Sequence, residues 1–509
     1  MHGVHGRLPV RANASAMTTN FNEFRKMHTV VRSTVLVLLL LPALGVAQSP
    51  DMVLDRDRPW ASEADQLLRE GRIEAAREAY RELSAQHGDD WGLWLRIAWV
   101  ELQSGNADAA LDASERSVEL ADDALDPFFM RAQIRAALGD ADGAMESLRE
   151  SLERSPEDAE VLRTMATMAL DLGRWAEAVG LLRELIRIEP DRPDYRVDVG
   201  RVLLSRGQFD EALRSFRDAE SRGADASMCQ ALIGKAHLGA GRQDDAVQAF
   251  RASNAVEANA DAWGGLATIH SLRGERAKSI QAFRRAIEFA PDDPDLHYNL
   301  GNVLAQSERL EEAEEAYRRA LDLDPESALA HTNLAVLLLN RFAVTEAEQH
   351  LRLAVQLDRR QASPHLHLGR IAGARYAFED AIRHYSAYRA RVRDPQEKQR
   401  IAEVIESLRT RAERSEAARA AGKVHLLQLM VGTEERAREL IVRLRRGEDF
   451  YVLAHQESEI AETAGVDVGF IEVGSIQEAF REPVRKLSVG EFTEPIATDR
   501  GYHVFMRVE

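Results

Sequence analysis

Histidine and cysteine are the side chains of this chain that could do acid–base or nucleophilic chemistry near neutral pH. Cys229 is the only cysteine among 509 residues, which excludes an intramolecular disulfide and any zinc site built from several thiolates. No histidine shares its local motif, so we interpret Cys229 as a packing residue. His365, His367 and His384 show no metal-ligand spacing, and motifs for phosphate-binding loops, HExxH zinc sites and serine hydrolases are missing. The sequence therefore predicts no metal site and no cofactor.

The overall charge argues against a nucleic-acid partner. The formal net charge is -18, and an acidic chain is repelled by nucleic-acid phosphates and by anionic lipid surfaces. Apolar residues make up 45% and charged residues 29% of the chain, as in ordinary folded soluble proteins. Because a single hydrophobic core stops growing at about 250 to 300 residues, this length predicts more than one domain.

The amino terminus has the layout of a secretory signal peptide over residues 27–47. Arg32 precedes a 12-residue apolar run that contains a proline, and small residues lead up to Ala47. A membrane-spanning helix needs about 20 apolar residues, so we favour a cleaved signal and a periplasmic or secreted protein with no permanent membrane span. Membrane anchoring by an uncleaved signal is the alternative. Residues 1–26 are then an upstream extension before a start at Met27.

A 34-residue period runs through residues 57–394. Its clearest marks are these glycines, of which the last follows a step of 33 residues: Gly71, Gly105, Gly139, Gly173, Gly207, Gly241 and Gly274. Small residues recur seven positions before each glycine and again in the second half of each repeat, where paired helices must cross closely. A period of this length is typical of a solenoid. We therefore predict ten stacked helix-turn-helix repeats.

These repeats resemble the tetratricopeptide repeat family, including Trp94 and Trp263 at the family's early aromatic position. The resemblance implies a mainly α fold, an α-solenoid superhelix whose concave groove binds polypeptide partners. Asn299, Asn302 and Asn333 match positions at which asparagines of the family hydrogen-bond an extended peptide. The earlier repeats carry other residues there, so a groove contact and an ordinary exposed polar role both stay open.

The period ends before residue 395. Residues 395–422 are rich in Glu, Arg and Ala and have apolar residues at helical spacing, which predicts a helix that caps the last repeat and links it to another domain. Residues 423–431 alternate like a strand and precede a helical stripe. We therefore predict a small mixed α/β domain over residues 423–509.

This α/β domain resembles the parvulin-type peptidyl-prolyl isomerases. The resemblance rests on landmarks in the family's order, namely His425 in the first strand, then GEDF leading into LAHQES, GVDVG, SIQEAF and GEFTEPIATDRGYHVFMRV. It implies an enzyme that rotates X-Pro peptide bonds, whose barrier is about 18 to 20 kcal/mol. It also implies that no cofactor takes part.

The same resemblance implies the residues of the site. They are His425 and His503 as paired imidazoles at the pocket floor, Thr498 as a hydrogen-bonding neighbour, and Phe480, Ile476 and Phe470 as apolar substrate-binding side chains. Their implied roles are orientation and polarity, because a pocket poor in water disfavours the polar planar imide relative to the twisted transition state.

Three positions depart from the family's pattern, and a fourth has no clear match. Ile476 stands where methionine is usual, and Arg500 stands where an aromatic residue is often found. Val466 replaces the second glycine of the turn, and Glu459 is the nearest candidate for the family's acidic or thiol position. Catalysis and inactive peptide binding by this domain therefore both stay open.

Two functions from different classes fit this sequence. The first is an extracytoplasmic folding or assembly factor whose repeats bind polypeptides and whose α/β domain isomerises X-Pro bonds, since tethering raises the local concentration of substrate. The alternative is a non-catalytic scaffold for a secretion or polysaccharide-export apparatus, in which both regions only bind.

Overall fold

The computed structural model describes residues 58–121, 124–459 and 466–508. The predicted upstream extension and signal peptide, residues 1–47, lie outside the described residues. The chain divides into two compact units, and the boundary follows Ile269. Among the described residues, no helix has both the length and the apolarity that crossing a membrane requires.

The first unit, up to residue 269, consists of helices that pair through short turns. After a 3-10 turn at Pro59–Ala61, its helices are α1 Ser62–Arg69, α2 Ile73–His87, α3 Trp91–Gln103, α4 Ala107–Leu120, α5 Asp126–Ala137, α6 Ala141–Arg154, α7 Ala159–Asp171, α8 Trp175–Ile188, α9 Asp194–Ser205, α10 Phe209–Ser221, α11 Ala226–Gly239 and α12 Gln243–Val256. Helix α13, Ala260–Leu272, crosses the boundary between the units.

The second unit continues the helix pairs and then changes to a mixed fold. Its repeat helices are α14 Arg276–Phe289, α15 Pro294–Gln306, α16 Leu310–Leu323, α17 Ala328–Asn340, α18 Val344–Leu357, α19 Ser363–Ala374 and α20 Phe378–Arg391. A longer helix, α21 Pro395–Ala420, follows and buries Ile401, Ile405 and Leu408 against α20. The remaining elements are β1 Lys423–Val431, α22 Glu434–Arg445, α23 Phe450–Glu457, β2 Asp467–Glu472, a 3-10 turn at Val473–Ser475, α24 Glu478–Arg485, β3 Ile496–Thr498 and β4 Gly501–Arg507.

The helices of a pair cross where the sequence has small residues. A Cβ atom on Gly200 of α9 would lie 2.4 Å from the Phe216 ring of α10, and one on Gly234 of α11 would lie 2.6 Å from the Phe250 ring of α12. Both phenylalanine side chains are fully buried, so each ring fills the space that the missing side chain leaves. The predicted mainly α repeat fold is confirmed.

The turn within each helix pair contains one residue with left-handed backbone. In seven pairs it is a glycine of the 34-residue period, such as Gly71 with φ 72°. In the last three pairs it is Glu308, Phe342 or Tyr376, with φ of 60°, 60° and 63°. A side chain in this conformation costs roughly 1 to 2 kcal/mol. These three turns therefore carry strain that glycine would avoid.

The α/β domain is built on a four-stranded antiparallel sheet in the order β2-β1-β4-β3. Helices α22 and α23 pack on the face of the sheet that carries Leu427, Leu429 and Val431, called here the α22 face. Helix α24 packs on the opposite face with Val424 and Leu426, called here the α24 face. The predicted small α/β domain after the repeats is confirmed.

Gly200 and Gly180 provide a matched pair of substitutions for the close helix crossing. Gly180 is exposed on α8, and a Cβ atom there would meet nothing within 4 Å. We expect Gly200→Ala to lower the free energy of unfolding by about 1 to 3 kcal/mol, because the Phe216 ring must move. Gly180→Ala should raise it by about 0.5 to 1 kcal/mol through helix propensity. Urea unfolding followed by circular dichroism measures both, and equal stabilisation by both would contradict the close crossing.

Candidate active site

His503 of β4 lies on the α24 face of the sheet. Met430 of β1 is its partner across the antiparallel pair, and residues directly opposite each other in a sheet share a face. Phe480 of α24 packs against the imidazole, with 5.1 Å between ring centroids. Ile476, just before α24, is buried in the same core as Phe480. The structure thus brings His503 together with the two residues of the expected apolar wall.

Both ring nitrogens of His503 have hydrogen-bond partners. Nε2 lies 2.9 Å from Thr498 Oγ1, and Nδ1 lies 2.6 Å from Gln428 Nε2. The Thr498 hydroxyl donates to the Gly501 carbonyl oxygen at 3.1 Å and accepts from the Arg500 backbone amide at 3.2 Å. The turn between β3 and β4 therefore holds the Thr498 hydroxyl against the imidazole.

Steric constraints require a glycine at the first position of the GYH motif. Gly501 has φ 132°, and a Cβ atom there would lie 2.6 Å from the Val431 carbonyl oxygen in β1. Only glycine permits both this backbone conformation and this approach. Gly501 therefore lets β4 start close enough to β1 for His503 to pack against Phe480 and contact Thr498.

Burial keeps the His503 imidazole neutral. Burial lowers the pKa of His503 below its ordinary value, the Arg500 charge lowers it further, and Asp499 opposes both. A neutral imidazole beside a buried aromatic ring avoids the cost of placing a charge in apolar surroundings. The site therefore combines an apolar wall with a fixed, uncharged imidazole.

His425 does not lie beside His503, contrary to the expected pairing of the two imidazoles. The His425 carbonyl oxygen accepts a hydrogen bond from the Val508 amide at 2.9 Å. His425 lies five residues before Met430 in β1, and Met430 is the residue opposite His503. Side chains of a strand alternate between faces, so an odd separation places the two imidazoles on opposite faces. His425 therefore projects to the α22 face, where it is only 3% exposed.

On the α22 face His425 contacts an acid and two aromatic rings. Its Nε2–H donates to Asp467 Oδ1 at 2.6 Å. The rings of Tyr376 and Phe470 lie 4.3 Å and 4.6 Å from the imidazole, measured between centroids. Phe470 pairs with His425 across β1 and β2, so it shares the α22 face. The expectation that Phe470 is a substrate-binding side chain beside His503 is therefore wrong, because Phe470 lies on the opposite face of the sheet.

Asp467 is held as a carboxylate by two donors. Burial pushes its pKa upward, but hydrogen bonds from His425 and Tyr376 outweigh burial, and the pKa of Asp467 is lowered overall. Burial and the neighbouring Asp467 raise the pKa of the Tyr376 phenol, so its hydroxyl stays protonated and donates to the carboxylate. The motifs did not indicate this contact. Its one sequence signal is a tyrosine at a point where the 34-residue period has glycine.

Two further hydrogen bonds join the last repeats to the α/β domain. Arg375 Nε donates to Asp449 Oδ2 at 2.8 Å, and Thr345 Oγ1 donates to the Gly447 carbonyl oxygen at 3.0 Å. The Asp449 carboxylate also caps the amino terminus of α23. These bonds attach the connection between α22 and α23 to the last two helix pairs, and the Tyr376 contact attaches the sheet residues His425 and Asp467 to the last pair.

The three groove asparagines do not share one environment. Asn302 is buried, and its Oδ1 accepts hydrogen bonds from Tyr317 Oη and Asn333 Nδ2, each at 2.8 Å. Asn333 Nδ2 also donates to Tyr298 Oη at 3.2 Å, and Asn299 is partly exposed. This bonding between α15, α16 and α17 favours a structural role for Asn302 and Asn333 over a free groove contact.

Other residues singled out in the sequence have structural surroundings. Burial raises the pKa of the Cys229 thiol to about 11, and Cys229 packs in the core of the first unit. The Glu459 carboxylate accepts a hydrogen bond from the Gly432 amide at 2.9 Å, just after β1. In the part of the chain that the structure describes, no three His, Cys, Asp or Glu side chains come together as metal ligands.

Helix pairs followed by an antiparallel α/β domain, in which a buried imidazole is hydrogen-bonded to a threonine hydroxyl, define a class, that of helical-repeat proteins with a rotamase-type domain. Family models agree with this class. Those described as tetratricopeptide or TPR repeats match residues 62–125, 135–197, 197–255, 268–307 and 294–327, and the one described as the PPIC-type PPIASE domain matches residues 431–509. The chain therefore carries tetratricopeptide repeats and a carboxy-terminal PPIC-type domain, as the sequence predicted.

Relatives with assigned names match a short part of this chain. The foldase protein PrsA of Geobacillus kaustophilus is 37% identical over 84 residues, which are 16% of this chain and 30% of that protein. The periplasmic chaperone PpiD of Haemophilus ducreyi is 31% identical over 85 residues, which are 16% of this chain and 14% of that protein. The matches thus span less than a third of either relative.

Among solved structures, the structure of yeast Tom70 is similar to this chain with a TM-score of 0.40 and 14% sequence identity. The alignment covers 70% of this chain and 96% of the Tom70 chain.

Tyr376 and Phe342 provide a matched pair of substitutions, because both have left-handed backbone. Phe342 is 57% exposed, so Phe342→Gly should stabilise the protein by about 1 kcal/mol through relief of strain. Tyr376→Gly relieves the same strain but removes the ring from His425 and the donor from Asp467, so we expect a net loss of about 2 to 4 kcal/mol. Thermal unfolding of the full chain measures both effects. An equal gain from both substitutions would mean that the Tyr376 contacts contribute no stability.

Proposed function

We propose that this chain is an extracytoplasmic folding factor whose repeats bind polypeptides and whose α/β domain catalyses the cis–trans isomerisation of X-Pro bonds. The observation that carries the proposal is the neutral His503 imidazole, hydrogen-bonded to Thr498 and packed against Phe480. The match to a PPIC-type domain supports it, as do relatives named as a foldase and a periplasmic chaperone.

The pocket suits rotation about a prolyl peptide bond. Ile476 and Phe480 offer a proline ring an apolar surface, and binding there removes the water that stabilises the polar planar imide. In the twisted transition state the imide resonance is lost. The pocket thereby binds the twisted form better than the planar form, which lowers the barrier. In this mechanism His503 and Thr498 orient the peptide and do not attack it.

A non-catalytic peptide-binding module is the second candidate. The separation of His425 from His503 favours it, because the pocket then has one imidazole where the resemblance implies two. Arg500 favours it as well, because a charged side chain stands where the family often has an aromatic residue. In this alternative the repeats and the α/β domain both serve as binding surfaces of a scaffold for a secretion or polysaccharide-export apparatus.

His503→Ala separates the two candidates. We expect the full chain to accelerate isomerisation of a proline-containing peptide in a protease-coupled assay. The substitution should lower kcat/KM about tenfold, equivalent to about 1.4 kcal/mol of transition-state stabilisation. His455→Ala, at an exposed position of α23, is the matched control and should keep the wild-type rate. Equal rates with and without the protein would favour the scaffold.

The same assay has an expected pH dependence. Because the pKa of His503 is lowered, more than half of its imidazole is neutral at about pH 6.5, where an ordinary histidine is half protonated. Activity should therefore be at its plateau by about pH 7.5 and should fall to half only below about pH 6.5, where His503 becomes protonated. A decline with a midpoint above the ordinary histidine value would contradict the role of a neutral imidazole.

We also propose export through cleavage of the signal peptide at residues 27–47. The charged start, short apolar run and small residues before Ala47 support this proposal. Mass spectrometry of the protein from a periplasmic or culture fraction should find a mature amino terminus at Gln48. An intact Met27 terminus in the membrane fraction would support the anchored alternative instead.

A further inference from the structure

One assignment of donors and acceptors satisfies all the hydrogen bonds around His503. The Gly501 carbonyl oxygen can only accept, and it lies 3.1 Å from Thr498 Oγ1, so this contact is a hydrogen bond only when the Thr498 hydroxyl donates to it. A hydroxyl has one proton, so when Thr498 donates to Gly501 its Oγ1 accepts from His503, and the imidazole proton is then on Nε2. A neutral imidazole protonated on Nε2 has a bare Nδ1. The amide nitrogen of Gln428 therefore donates to Nδ1, across 2.6 Å.

The position of Gln428 in β1 makes it the partner of His503. It lies two residues from Met430, which is opposite His503, so alternation brings Gln428 to the α24 face. His425 cannot supply this donor, because it lies on the α22 face and its Nε2–H is bound to Asp467. Gln428 thus occupies the place beside His503 for which the family resemblance implies a second imidazole.

We propose that Gln428 is a positioning residue of this pocket, whose side-chain amide holds His503 as the neutral Nε2–H tautomer and thereby fixes the Thr498 hydroxyl. An amide is an uncharged donor, so it occupies Nδ1 and opposes protonation there without adding charge. The charged neighbours of His503 are Arg500 and Asp499 in the turn between β3 and β4. The effect of Gln428 on isomerisation rests on the proposed function, whereas its effect on the tautomer does not.

Gln428→Glu tests the proposal, because it keeps the size of the side chain and reverses the hydrogen bond. Nitrogen-15 NMR of the full chain with labelled imidazoles, with the His503 signal assigned by its loss in His503→Ala, should find the wild-type proton on Nε2. In Gln428→Glu we expect the proton on Nδ1 or a charged imidazolium, and a pKa of His503 raised by about 1 to 3 units.

Two further variants control for charge and for packing. Gln428→Leu removes the donor without adding charge, so it should raise the pKa of His503 by less than Gln428→Glu does. Gln477→Glu adds the same charge at an exposed position before α24, outside this network, and should change neither the tautomer nor the pKa of His503.

The outcomes separate this proposal from the proposed function. A wild-type His503 protonated on Nδ1 would overturn it, and so would a Gln428→Glu protein with unchanged tautomer and pKa. A loss of about tenfold in isomerase kcat/KM for Gln428→Glu, with His455→Ala at the full rate, would extend the positioning role to catalysis. If the wild-type chain shows no isomerase activity, the proposed function fails, and the NMR result still decides the role of Gln428.

Discussion

Strand β1 imposes the constraint on which the α/β domain depends. Its side chains alternate between two faces of the sheet, so one strand supplies two separate cores. Val424 and Leu426 pack with α24, whereas Leu427 and Leu429 pack with α22 and α23. Whether a polar side chain of β1 faces one core or the other depends only on whether its residue number is even or odd. Gln428 reaches the pocket by this rule, and the nearby histidine of β1 reaches the opposite face.

The repeat fold and part of the pocket could be predicted because their signals are local or repeated. The sequence has ten copies of one pattern, so a residue that differs in a single copy can be compared with its equivalents in the other copies. Gly200 and Gly234, for example, stand where several other repeats have alanine. Thr498 and His503 lie in one hairpin, and Ile476 and Phe480 lie in one short segment. A local motif therefore fixes the geometry between Thr498 and His503 and between Ile476 and Phe480. Only the contact of the hairpin with the Ile476 segment depends on the rest of the fold.

The errors in the predicted site have one physical origin, which is strand register. Whether His425 meets His503 depends on how β1 is aligned with β4, and a shift of one residue would move every side chain to the other face. The expectation for Phe470 is wrong for the same reason. Phe470 is paired with His425 across β1 and β2, so its side chain lies on the same face as His425. The contacts of Gln428 with His503 and of Tyr376 with Asp467 join residues 75 and 91 positions apart. No local pattern carries information over such distances.

The turn at Tyr376 shows how the repeat pattern is adapted where it meets the sheet. Glycine adopts left-handed backbone without steric cost, whereas a tyrosine there costs roughly 1 to 2 kcal/mol. A hydrogen bond to a charged group contributes about 1.5 to 3 kcal/mol, so the bond from the Tyr376 phenol to Asp467 is large enough to offset the strain. The strained residue thus stabilises the α22 face, while the pocket lies on the α24 face. Because β1 separates the two faces, the contacts that attach the domain to the repeats leave the surroundings of His503 free to be set by β4, α24 and Gln428.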